Sequence, residues 1–278
     1  MPELPEVEEA RRIAQRVAVG RRITAVTCAL DPIVFERVAP ERIRRALLGR
    51  RVAAARRHGK HLWLELDRRP WPCIHFGMAG GLHAPAARSV RLVSSGGRPV
   101  TGWPPRFLKL LLSFDDGGAL AIADGRRLGR IRLREDPRRQ PPIALLGFDA
   151  LRGLPVPPRF AELLGARGGP VKAVLLDQSF AAGVGNWIAD EVLYQARIDP
   201  RRPARSLSLA EARRLRAAIR HVVTTAVRAR ADSDRFPRAW LFHHRWGRQT
   251  GSLTWRGERI RHDTVGGRTT AWVPAVQR

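Results

Sequence analysis

The first six residues, Met1-Pro2-Glu3-Leu4-Pro5-Glu6, hold the most specific chemistry in the chain. A small residue after Met1 permits removal of the methionine, which leaves Pro2 as a free secondary amine. Such an amine attacking a sugar C1′ forms an iminium that cannot lose its charge by deprotonation at nitrogen, so it remains an electron sink for later eliminations. An α-amine titrates at about 7.7 to 8.0 in model peptides, so on the order of a tenth is nucleophilic at neutral pH, and a cationic surround raises that fraction. Glu3 stands beside it and suits a general acid that protonates the sugar ring oxygen. The same composition fits an ordinary helix start with proline and acidic residues, and six positions alone do not separate the two readings.

The remaining chemistry is cationic. Lys and Arg number 51 against 25 Asp and Glu, a formal charge of +26, and the usual cause of such an excess is a polyanionic partner. Nucleic acid is the first candidate and anionic membrane the second. No apolar run approaches the roughly 20 residues that span a bilayer, and the N-terminus lacks a charged region followed by an apolar core. A protein neither membrane-bound nor exported is therefore expected, cytoplasmic or nucleoid-associated in a prokaryote and nuclear in a eukaryote. Cys28 and Cys73 are too few for a disulfide framework or a tetrahedral zinc site. Only Lys60, Lys109 and Lys172 are lysines, so each is worth asking about, since a compact ammonium acts differently from a planar guanidinium.

These residues need elements to position them. Pro5 to Gly20 reads as a helix, with Val7, Ala10, Ile13, Ala14 and Val17 on one stripe and acids before bases along the dipole, as in any well-charged surface helix. From Arg22 to about Leu133 short alternating or apolar runs broken by Gly and Pro predict strands at 23–29, 51–56, 61–66, 73–76, 107–114, 119–123 and 130–133, a β-sandwich or barrel. Beyond a charged, Pro-rich stretch the period becomes helical, at 160–164, 171–177, 187–196 and 208–230, the last opening with Ser208 and Glu211 in capping-box spacing. Short β-type runs around Trp255 and Trp272 close the chain as a hairpin. The expected organisation is α+β with two domains: residues 1–134 a catalytic β-sandwich, 135–142 a linker, 143–239 a helical domain and 240–278 a hairpin.

Four blocks, MPELPEVE at the start, HGKHLWLELD from His58, GVGNWIADEVLYQARIDP from Gly183 and GGRTTAWVPAVQ from Gly266, resemble the formamidopyrimidine-DNA glycosylase and endonuclease VIII family. The likeness spans nearly the whole chain, and around 76–80 and 186–191 it is nearest to the plant and fungal members. It implies a helix-two-turn-helix DNA-binding domain over 143–239, damaged double-stranded DNA as the partner, in the cleft between the domains, a monomer, and no cofactor. The reaction implied is base excision followed by β- and δ-elimination, on formamidopyrimidines, hydantoins and abasic sites ahead of 8-oxoguanine, because the segment between Arg230 and Trp240 is short.

Carried over by residue, the resemblance makes Pro2 the nucleophile and Glu3 the general acid, places Glu6 in the same pocket to position water or the leaving base, and sets Lys60 on the phosphate beside the lesion. Lys172 precedes the helix-two-turn-helix and would face the nucleic acid. Asn186 would bind phosphate, although a glycine turn with an Asx cap is its structural alternative. His75 matches a phosphate-contacting position or is a buried structural histidine. Met78, Arg126 and Leu128 match residues that fill the hole left by an extruded base. Leu128 departs from the family's common Phe, which wedges against the opposite base, and a leucine there can wedge but stacks poorly.

Many family members end in a zinc finger, but alignment on Gly247-Arg248 and Arg268-Thr269-Thr270 places Leu253, Arg256, Val273 and Val276 at the four ligand positions. None of these side chains ligates zinc, so no metal site is expected and a zincless hairpin should be held by Trp246, Trp255 and Trp272, with Arg268 projecting from its glycine turn onto phosphate. His243, His244 and His262 lack thiolates at matching spacing. The rival functions are a catalytically silent or lyase-only DNA-binding relative, an endonuclease VIII-like glycosylase for oxidised pyrimidines, and a basic RNA-binding protein.

Overall fold

The structure, a computed structural model, describes residues 2–85, 102–246 and 251–278. Met1 and the Gly247-Arg248 pair lie outside them. The chain forms two compact units, Met1–Leu145 with Arg230–Asp232, and Leu146–Ala229 with Ser233–Arg278. Segment 135–142 falls in the first unit, where Arg134 Nε donates to the Pro141 carbonyl at 2.8 Å.

In the first unit α1 (Leu4–Ala18) and α2 (Pro40–Leu47) join two four-stranded antiparallel sheets around one core. One sheet runs β1 (Ile23–Cys28), β6 (Leu108–Phe114), β7 (Ala119–Ala123), β5 (Gly81–His83). The other runs β2 (Val52–His58), β3 (His61–Leu66), β4 (Trp71–His75), β8 (Arg130–Arg134). Alternation builds the core: Leu110, Leu112 and Phe114 of β6 point inward while their neighbours stay partly exposed. All of β7 is buried. The α1 stripe of Val7, Ala10, Ile13 and Ala14 packs into the same core. Unlike those of a surface helix, its Glu8 and Glu9 are buried too.

The second unit holds α3 (Pro157–Gly165), α4 (Val171–Leu176), α5 (Asn186–Ala196) and α6 (Leu209–Arg228), with a short parallel pair, β9 (Phe148–Asp149) and β10 (Ala181–Ala182). Ser208 and Glu211 form the expected capping box, the Ser208 N–H donating to Glu211 Oε2 at 2.8 Å and the Glu211 N–H to Ser208 Oγ at 3.3 Å. The terminal hairpin pairs β11 (Arg261–Val265) with β12 (Arg268–Trp272) across Gly266-Gly267.

The hairpin corrects the tryptophan expectation. Trp272 is buried, but Trp246 and Trp255 are 41% and 60% exposed. Trp255 sits in the tight turn closed by the Gly257 N–H on the Thr254 carbonyl (3.0 Å), so its ring projects outward. The apolar contacts come instead from Leu241, Ile260, Ala271 and Val273, with Tyr194 and Val276 against them.

Glu191 lies fully buried in α5, accepting from Gln195 Nε2 (2.7 Å) and the Phe242 N–H (2.8 Å). Burial raises its carboxyl from 4.5 to about 7, against the opposing pull of those donors and of Arg245. The folded state keeps a proton that the unfolded chain releases near the ordinary value, so stability falls as pH rises through that window. Glu191→Gln should flatten this slope, with a wild-type melting temperature several degrees lower at pH 8 than at pH 5 and a variant that changes less, read by thermal denaturation.

Candidate active site and nucleic-acid interface

Pro5 in the first turn and a capping box between Glu3 and Glu6 fix the start of α1, the Glu3 N–H donating to Glu6 Oε2 at 2.9 Å. Pro2 and Glu3 are buried, while Glu6 keeps some exposure. Enclosure by the protein, then the charge of Glu3, pushes Glu6 from 4.5 up to about 7. Two carboxylates thus flank the Pro2 position, and one of them titrates at neutral pH.

Lys60 stands in the two-residue turn that joins β2 to β3, where Gly59 takes φ 55°. Beneath this turn lies a buried ion network absent from the sequence reading. Arg57 donates Nε to Glu8 Oε2 (2.9 Å) and Nη1 to the Gly59 carbonyl (2.8 Å), tying the helix that begins after Pro2 to the turn that carries Lys60. Arg11 also grips Glu8, at 3.0 to 3.2 Å. Burial opposes the charge on Glu8, but the hydrogen bonds from Arg11 and Arg57 outweigh it and hold its carboxyl below the usual range.

His75, Met78, Arg126 and Leu128 come together at one place in the first unit. A Cβ on Gly77, at φ 60°, would lie 2.4 Å from the Leu128 carbonyl, so the turn bearing Met78 packs directly on the turn bearing Leu128. Asp124 shapes the second turn by accepting from the N–H groups of Arg126 (3.0 Å) and Gly129 (2.7 Å). Asp31 takes Arg127 through a forked contact at 3.1 to 3.2 Å and Lys109 at 2.8 Å. Arg126 and Leu128 stay exposed. The His75 ring lies 4.7 Å from that of His61 and accepts at Nδ1 from the Gly77 N–H (3.3 Å). Burial, followed by the charges of Lys60, Arg132 and Arg130, lowers His75 to about 4, so at neutral pH it is an uncharged hydrogen-bonding group.

In the second unit Lys172 departs from the expectation that it faces nucleic acid. It is fully buried, with Nζ 2.5 Å from Asp190 Oδ1, 2.7 Å from Thr270 Oγ1 and 3.2 Å from the Thr269 carbonyl. The reason is Asp190, whose other oxygen also receives Arg245 Nη2 (2.5 Å) and the Ala271 N–H (3.1 Å). A carboxylate buried beneath the hairpin needs cations beside it. Asn186 Nδ2 donates to the same Thr269 carbonyl at 2.9 Å, and its Oδ1 is buried with no partner. Arg268, next along the strand, is exposed. Lys172, Asn186 and the hairpin turn are therefore one assembly, whose outward cation is Arg268.

Two of the four aligned zinc positions are absorbed by apolar packing, Val273 being fully buried and Val276 packed beside it, while Leu253 and Arg256 are exposed. These residues do not fit a metal, and among the described residues no cluster of three or more His, Cys, Asp or Glu could hold one. A cavity of about 770 Å³ in the second unit, lined by Tyr194, Glu211, His221, Trp240, Arg256 and Glu258 among others, contains none of the expected site residues. No helix among the described residues is long and apolar enough to cross a membrane.

A chain of charge +26 that presents guanidiniums from tight turns is suited to a polyanionic partner such as nucleic acid. A two-domain nucleic-acid-processing enzyme is the class these features define. Comparison with known proteins makes it specific: residues 1–131 match the formamidopyrimidine-DNA glycosylase N-terminal domain, and residues 146–237 match the formamidopyrimidine-DNA glycosylase H2TH domain. The formamidopyrimidine-DNA glycosylase of Arabidopsis thaliana is 41% identical over 278 residues, all of this chain and 71% of that protein. The enzyme of Thermus thermophilus is 33% identical over 289 residues, covering 100% of this chain and 98% of that one. A crystal structure of the Thermus thermophilus protein superposes with a TM-score of 0.76 at 32% identity over 99% of this chain and 98% of that chain. The Lactococcus lactis enzyme bound to DNA containing an abasic site gives a TM-score of 0.81 at 25% identity over 99% of each chain. The chain belongs to the formamidopyrimidine-DNA glycosylase family.

Two substitutions separate the roles of the hairpin's cations. Lys172→Ala leaves Asp190 underpaired in the interior and should cost about 3 to 5 kcal/mol of stability, seen as an earlier denaturant midpoint. Arg268→Ala should leave that midpoint unchanged and lower the slope of log affinity against log salt by about 0.9, the share of one phosphate contact.

Proposed function

We propose that this chain, a DNA glycosylase of base excision repair acting on oxidised bases, works as a bifunctional glycosylase and abasic-site lyase with Pro2 as its nucleophile. The observation that carries the reading is the start of α1, where a buried proline position is flanked by Glu3 and by a Glu6 poised at about 7. The Pro2 nitrogen lone pair forms the bond to C1′ as the glycosidic bond breaks, the electron pair of that broken bond leaves with the damaged base, and the proton lost from the Pro2 nitrogen passes to the departing base. Glu3 protonates the ring oxygen, which opens the sugar and leaves an iminium. Loss of the C2′ proton to the carboxylate left on Glu3 or to water sends the C2′–H electrons into the iminium as an enamine, which expels the 3′-phosphate, and loss of the C4′ proton in the same way drives a second elimination that expels the 5′-phosphate.

Lys60, neutral His75, Asn186 and Arg268 serve as phosphate contacts. Lys172 acts from the interior by holding the hairpin on which Arg268 stands. Met78, Arg126 and Leu128 fill the space vacated by the extruded base, in keeping with their exposure on two packed turns. Formamidopyrimidines and hydantoins are the proposed substrates ahead of 8-oxoguanine, since the short segment between Arg230 and Trp240 holds, among its described residues, a single 3-10 turn at 233–235. The enzyme acts as a monomer where DNA is, in a nucleoid or a nucleus.

Borohydride reduction of the iminium tests the assignment. The unmodified protein should become covalently trapped on a duplex with an abasic site, while Pro2→Gly, or an N-terminal tag that retains Met1, should abolish trapping and preserve duplex binding. Full trapping by the tagged protein would exclude Pro2. A second measurement reads Glu6: if its carboxylate form positions water or the base, kcat/KM climbs as pH rises through about 7, and Glu6→Gln leaves only the rise of the Pro2 amine at about 7.7 to 8.0.

A further inference from the structure

Leu128 leaves a chemical gap. An aliphatic wedge can enter a base stack, but it offers no π face to the base it displaces. The structure places an aromatic ring against the turn that carries it. Phe107 is 53% exposed, the most exposed Phe or Trp among the described residues of the first unit. It precedes β6 at φ 61°, a left-handed conformation that phenylalanine rarely adopts. Its carbonyl accepts the Asp124 N–H at 3.0 Å, which fastens it to the first residue of the Leu128 turn.

Contact continues through the side chain. A Cβ on Gly125 would lie 2.9 Å from Phe107 Cδ2 and 3.2 Å from Cε2, so the ring rests against the residue just before Arg126. The turn of Met78 also packs on the Leu128 turn, as the Gly77 geometry shows. Met78, Leu128, Arg126 and Phe107 are therefore all exposed on three turns that pack on one another. Arg106 stands over the Phe107 ring, 4.6 Å from its centroid, so a cation suited to a flanking phosphate accompanies the ring. A ring with no structural demand for its exposure, held at a left-handed position on the edge of a wedge, is built to meet another flat surface.

We propose that Phe107 stacks on a base of the strand opposite the lesion and helps to determine which opposite base the enzyme accepts, the aromatic contribution that Leu128 does not make. The inference rests on the reading of Met78, Arg126 and Leu128 as void-filling residues. Base stacking on an aromatic side chain tolerates all four bases but differs among them in strength, which is how a ring with no hydrogen-bonding group discriminates.

The experiment compares the unmodified enzyme with Phe107→Ala, Phe107→Trp and the double variant Phe107→Ala/Leu128→Phe on duplexes with one abasic site opposite A, C, G or T. Borohydride trapping on a single-stranded abasic oligonucleotide and thermal melting serve as companions. Phe107→Ala should lower duplex kcat/KM by roughly tenfold and narrow the spread among the four opposite bases. Its melting temperature and single-strand trapping should be unchanged. Phe107→Trp should keep the unmodified rate, and the double variant should recover much of the loss. A Phe107→Ala protein with the unmodified rate and spread overturns the proposal. An equal loss on single strand and duplex does so too, because it marks a merely structural role. Failure of the unmodified chain to trap on any substrate sinks the enzyme reading itself and the proposal with it.

Discussion

A carboxylate taken out of water is tolerated only when its oxygens find donors, and this chain fastens its functional turns to carboxylates of that kind. Glu8 holds Arg57, which holds the Gly59 carbonyl beside Lys60. Asp124 gathers the N–H groups on either side of the Leu128 turn, and Asp31 anchors the Arg127 within it. Asp190 collects Lys172, Arg245 and the Ala271 N–H beneath the hairpin that ends in Arg268. All four acids are buried to within 5% of full enclosure. Each is held by more than one donor, so a single side chain cannot swing away without stranding a charge.

The arrangement answers a problem specific to a chain with 51 cations and 25 acids. Arginine is everywhere, so what must be specified is which guanidiniums point inward. Arg126 and Arg127 are adjacent, yet Asp31 takes the second while the first remains free to face outward. Burial alone would raise the Asp31 carboxyl, but the hydrogen bonds from Lys109, Arg127 and the Val34 N–H hold it well below the ordinary range. The pairing therefore stays ionised at any physiological pH, and the turn keeps its shape. Among the three lysines, Lys109 and Lys172 are internal partners of aspartates, whereas Lys60 occupies a turn. The scarcity of lysine marked two structural positions along with one candidate for phosphate contact.

How much of this was legible in the sequence depends on the range of the interaction. Short alternating or apolar runs located β3 and β7 at their observed limits, and the Ser208 to Glu211 spacing located the start of α6, because those signals are local. The helix α2 was missed: only Ile43 and Leu47 are buried in its two turns, too little to declare a period. Strand β5, three residues long, carries no periodicity at all. Lys172 was misplaced for a different reason, since its partners lie 18 residues away at Asp190 and 98 away at Thr270. A residue type announces that a charge exists, and only the fold says whether another charge waits for it. Phe107 was read as the start of a strand, and nothing local reveals that its ring would rest on Gly125.

The hairpin shows how two kinds of interaction divide the work of joining a short finger to its helices. On one side, Val273 and Val276 enter an apolar cluster with Leu241 and Ile260. On the other, where Leu253 and Arg256 remain in solvent, the join is polar: Glu258 accepts from Thr254 Oγ1 at 2.7 Å and from the Tyr194 hydroxyl at 3.0 Å, linking the loop to the last turn of α5. Burial, reinforced by Glu258, raises the Tyr194 hydroxyl above its ordinary value, so it keeps the proton it donates. The middle of the same helix supplies Asp190 and its first residue is Asn186, both bonded to β12. A metal would fix four points around a single centre. Here α5 fixes the hairpin at its start, its middle and its end, so the position of Arg268 follows from the rigidity of one helix.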